Sequence, residues 1–134
     1  MKIDKSYSII NPIHWVEQSN IILANGDIYS FDKRPYLMAM FMSRARLKCV
    51  RKARGLGFSE TEILGSIHGL YSGRYKQGVQ YVFPTDTDMR KFCQSRFNIV
   101  INRNRCLKDL VMDTNTTNYK RIGEGNLFLD GGGC

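Results

Sequence analysis

Long apolar runs are missing from this 134-residue chain, and no 18 apolar residues follow one another, which excludes a membrane-spanning helix. Histidine is scarce, at His14 and His68 only. The four cysteines, Cys49, Cys93, Cys106 and Cys134, stand far apart with no Cys-x-x-Cys pair. That spacing argues against a structural zinc site and against disulfide bracing, so reduced thiols are expected. The first ten residues, MKIDKSYSII, have neither the apolar stretch nor the small-residue cleavage site of a secretory signal, so a cytoplasmic protein with no membrane partner is expected. Acidic residues are also few, 12 against 20 Lys+Arg, which leaves a net charge of +8. What remains, 43% hydrophobic and 24% charged, is the makeup of one globular domain whose charge suits an anionic partner such as nucleic acid or nucleotide.

Local signals give an order of elements. Asn11-Pro12 marks a helix start running to Gln18, with Asn as cap and Pro at the first helical position. Asn25-Gly26-Asp27 between the apolar runs 21–23 and 28–31 reads as a hairpin turn. Pro35 opens a second helix to Ser43. Residues 46–51 alternate like a strand and lead into the loop 52–60, after which Ile63, Ile67, Leu70 and Tyr71 fall on one helix face. A strand at 79–83 is stopped by Pro84, and Thr85 or Thr87, with Asp88 completing a Thr85-x-x-Asp pattern, caps a helix whose apolar side is Met89, Phe92, Cys93, Phe97 and Val100. Residues 113–118 read as loop, and strands at 119–122 and 127–129 flank Gly123-Glu124-Gly125. Strand, loop, helix, strand and helix over residues 46–97 predict an α/β fold with a parallel sheet flanked by helices.

The loop carries the chemistry. Unpaired N–H groups at a helix start attract phosphate, and Gly55 and Gly57 let the backbone turn tightly and approach a ligand. Lys52 and Arg54 suit phosphate charge, and Ser59 suits a nucleotide-bound Mg²⁺. Six basic residues and no acidic one lie between Arg44 and Arg54. Against G-x-x-x-x-G-K-[ST], Gly57 and Ser59 match, Phe58 replaces the lysine and Lys52 the first glycine. The residues alone leave two readings open: a phosphate cradle, or a plain turn with Ser59 as cap and a solvated basic face. His14 and His68 read as surface or partly buried structural histidines, and the methionines at 38, 40 and 42 as core or partner-facing packing. Arg90, Lys91, Arg96, Arg103 and Arg105 read as solvated cations, with DNA contact the alternative.

The flanks extend the pattern. His14-Trp15-Val16-Glu17, Asn25-Gly26-Asp27, Pro35-Tyr36-Leu37, Gly55-Leu56-Gly57-Phe58-Ser59-Glu60, Tyr81-Val82-Phe83-Pro84-Thr85 and the stretch 120–127 occur in one order. This set resembles the N-terminal ATPase region of phage terminase large subunits, the motors that package DNA into proheads. The resemblance implies a partial P-loop NTPase fold, with residues 1–45 an N-terminal helix, hairpin and adenine-side lead-in. Residues 46–134 would be an ATPase core that stops before the acidic motif. It implies ATP and Mg²⁺ as cofactors, with Lys52 and Arg54 on the γ-phosphate and Ser59 on the metal. Gly55, Gly57, Phe58 and Glu60 would complete the loop, and Tyr36 would lie by the adenine. The implied partners are double-stranded DNA, a terminase small subunit and the portal of the prohead. Only Asp130, after Leu127-Phe128-Leu129, looks like the acidic motif, so the chain by itself is expected to bind nucleotide weakly without appreciable turnover. The alternatives are a small basic non-enzymatic DNA-binding or structural module, and another P-loop ATPase of helicase type.

Overall fold

The computed structural model describes residues 11–123 and 125–132, with only the backbone path at 112–115. The readings made on residues 1–10, Glu124 and Cys134 lie outside the described residues. Helix α1, Pro12–Ser19, starts as its cap dictates: Asn11 Oδ1 accepts from the N–H groups of Ile13 and His14 at 3.1 and 3.2 Å. It buries Trp15 and Val16 and ends at Asn20 in the left-handed region. A short hairpin follows, with Leu23 N–H on Asp27 O and Tyr29 N–H on Ile21 O. Helix α2, Tyr36–Met42, buries Leu37 and Phe41.

The expected strand at 46–51 does not form. Residues 44–56 are an exposed, irregular strap, with Leu47 at 92% exposure. A strand needs a neighbour for its N–H and C=O groups, and a cation at nearly every second position makes burial beside one costly. The strap is tied down by Lys48 instead, whose Nζ donates to Ser43 O at 2.8 Å, a cation at the carbonyl end of α2.

Helix α3, Phe58–Tyr71, is the hub. It is buried on nearly all sides through Thr61, Ile63, Leu64, Ser66, Ile67, His68, Gly69 and Leu70, not only on the face its spacing predicted. His68 lies against Trp15, ring centroids 5.4 Å apart, a packing role. Strand β1, Val79–Phe83, then leads to helix α4, Asp86–Phe92, capped by Thr85 Oγ1 on Asp88 N–H. A wide π-helical turn, Cys93–Phe97, continues α4 into α5, Asn98–Arg103, and α6, Arg105–Lys108, follows. Strands β2, Val111–Asn115, β3, Tyr119–Ile122, and β4, Gly125–Gly131, complete the described chain.

The sheet order is β1-β4-β3-β2. Among the described strands only β1 and β4 are parallel, the chain between them running through α4–α6 and then β2 and β3, with Val79 opposite Leu127 and Phe83 opposite Gly131. The other two pairs are antiparallel, so the expectation of a parallel sheet is corrected to a mixed one. The cause is local: β2, β3 and β4 are joined by turns of a few residues, and such turns permit only antiparallel neighbours. Strand β2 also occupies part of the stretch 113–118 that composition marked as loop. One core joins helices and sheet: Leu37, Phe41, Ile63, Leu64, Ile67, Met89, Phe97, Ile101, Ile122, Leu127 and Leu129 are all buried in it. Inside it, Lys120 is 1% exposed, its Nζ donating to Thr116 O at 3.2 Å and lying 5.8 Å from the centroid of the Phe97 ring. No helix among the described residues is long and apolar enough to cross a membrane.

Candidate functional site: a cationic cleft at the start of α3

The turn into α3 uses glycine twice in the left-handed region, Gly55 at φ +78° and Gly57 at φ +79°. Gly57 is also crowded: a Cβ there would run into the Arg34 guanidinium, which would have to shift, and approach Leu37 Cδ1. Its carbonyl accepts from Thr61 Oγ1 at 2.7 Å, which leaves Tyr29 as donor in the 2.6 Å contact with Thr61 Oγ1. The hairpin is thereby fastened to the first turn of α3. Burial of Tyr29 pushes its phenol above the ordinary value, so it stays a neutral donor.

In front of this turn lies a cleft of about 630 Å³. Lys52, Arg54, Gly55, Gly57, Phe58, Ser59 and Glu60 all border it, so seven of the eight residues singled out from sequence meet at one place. Tyr36 is the exception. Its hydroxyl donates to Leu56 O at 3.0 Å, so it braces the loop from outside the cleft wall. The Lys52 ammonium lies 6.0 Å from the centroid of the Phe58 ring and 3.4 Å from Ala53 O.

Two further arginines border the cleft, and the sequence reading gave neither this place. Arg34 comes from the lead-in to α2, and Arg96 from the π-helical turn. The bulk of Arg34 against a required glycine was invisible before folding, and so was the 36-residue separation that brings Arg96 to Glu60. Among the described residues, Arg34, Lys52 and Arg54 have no carboxylate partner, whereas Arg96 is bound to Glu60. Among the described residues no side chain caps the first turn of α3, and the N–H groups of a helix start have no partner within the helix. Convergent unpaired cations and open N–H groups make the cleft suited to a multiply charged anion.

A smaller concavity of about 320 Å³, bordered by Arg44, His68 and Arg74, lies at the other end of α3. The partial negative charge of the helix's terminal carbonyls makes it the poorer place for an anion. No metal-holding group of His, Cys, Asp or Glu occurs among the described residues, and Asp130 does not border the large cleft.

Fold and cleft together define a small α/β protein with a basic, glycine-turned pocket at a helix start. No protein-family model, curated protein or solved structure matches the chain.

Proposed function

We propose that the cleft binds the phosphates of ATP with Mg²⁺, and that the chain is the nucleotide-binding part of a DNA-packaging motor of the terminase large-subunit kind. The reading rests on one observation: three cations with no carboxylate partner among the described residues border the cleft at the uncapped start of α3, beside a glycine turn. Lys52 and Arg54 hold the terminal phosphate, Arg34 joins them, and Gly55 and Gly57 keep the backbone close. Ser59 supplies a hydroxyl for the metal. Glu60 is taken up by Arg96, so among the described residues bordering the cleft no free acidic group stands ready to orient water, and turnover by this chain is negligible. Double-stranded DNA, a small subunit and the prohead portal are partners of the motor in this reading, in the host cytoplasm.

Titration calorimetry with MgATP tests it. The expected result is weak saturable binding that falls roughly tenfold or more in Lys52→Ala, the loss of one charge-assisted contact. Absent binding in the unaltered chain, or equal binding in Lys52→Ala and Arg54→Ala, refutes it.

The exposed strap favours a second reading, a non-enzymatic DNA-binding module. Residues 44–54 carry six cations in no regular element and in reach of a phosphodiester backbone. That reading predicts steeply salt-dependent DNA binding untouched by ATP, whereas the first predicts ATP binding that persists without DNA.

A further inference from the structure

Arg90 and Arg96 stand six positions apart and are used differently. Arg90 pairs with Asp86 one turn back on its own helix, at 2.6 Å. Arg96 crosses to a different element, where its Nη1 donates to Glu60 Oε1. The crossing comes from the π-helical turn, in which the N–H of Asn98 reaches the carbonyl of Cys93, five residues back. Cys93 and Phe97 are both fully buried, so the turn is locked at its two ends and Arg96 stands on its outer side. Such turns are costly to keep and recur at functional sites.

Among the described residues, Glu60 is the only acid bordering the large cleft. Its side chain is 13% exposed, and left alone it would repel any phosphate entering beside Lys52 and Arg54. Arg96 removes that obstacle, and among the described residues it does so with part of its donor set: Nη1 holds Glu60, and the side chain remains 49% exposed at the cleft edge. A guanidinium has five N–H donors in a planar fork, so one edge can hold a carboxylate while another holds a phosphate oxygen.

We propose that Arg96 is a phosphate-binding residue of the cleft, held in place by Glu60 and bridging it to the ligand's terminal phosphate. The inference rests on the nucleotide reading and adds to it a residue far away in sequence. Occupancy of the cleft then draws on the α4–α5 helical rod through the turn that carries Arg96, and the rod packs against β1 and β4.

The test uses the 134-residue chain, MgATP titration and urea unfolding, with Arg96→Gln, Arg96→Lys and Lys52→Ala. Lysine keeps the charge that Glu60 needs but has no second planar edge. Arg96→Lys is expected to unfold as the unaltered chain does yet bind MgATP roughly tenfold more weakly, and Arg96→Gln more weakly still. A purely structural pair would be rescued by lysine, so native affinity in Arg96→Lys overturns the inference. If Lys52→Ala loses binding and both Arg96 variants keep it, only the inference fails. If the unaltered chain does not bind MgATP, the nucleotide reading and the inference fall together.

Discussion

Alanine at Gly57 and alanine at Gly55 should differ, although the two backbones are nearly the same. Each substitution puts an L side chain at φ near +78°, which costs about 1–2 kcal/mol. At Gly55 nothing stands within 4 Å of the new Cβ, so the strain is the whole penalty. At Gly57 the methyl displaces the Arg34 side chain and comes to 3.3 Å of Leu37 Cδ1. Arg34 swings away at little cost, but Leu37 is fixed in the core, and crowding it adds about 1 kcal/mol, the low end of the overpacking range. Urea unfolding should therefore show losses of about 1–2 kcal/mol for Gly55→Ala and about 2–3 for Gly57→Ala. In thermal melts each kcal/mol corresponds to about 3–6 °C for a chain of this size. Binding gives an independent reading, because the displaced guanidinium is one of the cleft's cations. Gly57→Ala should weaken MgATP binding more than Gly55→Ala does. Equal stability of the two variants would refute the reasoning, since the loop would then not be clamped against Arg34 and Leu37.

Two further outcomes follow from buried polar groups. Asn104 is a staple between distant segments: its amide donates to Ile22 O at 2.8 Å and Val100 O at 2.7 Å, and Oδ1 accepts from Ile22 N–H at 2.7 Å. Asn104→Ala should cost about 2–3 kcal/mol in urea unfolding and speed amide exchange at Ile22; unchanged exchange there would sink the assignment. Burial holds the Lys120 ammonium below the ordinary lysine value of 10.5, so the native state binds fewer protons than the unfolded chain just below that pH. Stability owed to this group therefore rises with pH through that window. The stability of Lys120→Met relative to the unaltered chain should fall as pH climbs toward 10, and a difference constant with pH would contradict it.

Local chemistry made much of the fold legible. The Asn11 and Thr85 caps, the Asn-Gly turn and the run 79–83 lie where the sequence put them, because each is decided within a few residues. The strand expected at 46–51 failed because pairing is settled by distant neighbours, and its cations oppose burial. The mixed sheet went unread for another reason: its antiparallel part comes from the short turns joining β2, β3 and β4, and composition marks part of β2 as loop. At the cleft, the contiguous loop residues were readable as a group. Arg34 and Arg96 were not, because each arrives from an element whose direction only the packed structure sets. Tyr36 does not border the cleft: its hydroxyl donates to Leu56 O, a contact that the sequence did not signal.

The sheet order has a consequence in time. Strand β4 stands between β1 and β3, so among the described strands β1 has no partner until residues 125–131 have emerged and been inserted beside it. The Asn104 staple likewise waits across 82 positions for Ile22. Closing loops of that length sets a slower pace than local helix packing, and productive assembly is governed by how quickly β4 arrives. During that interval both edges of β1 are open, and the nascent chain is at its greatest hazard of pairing with another copy of itself.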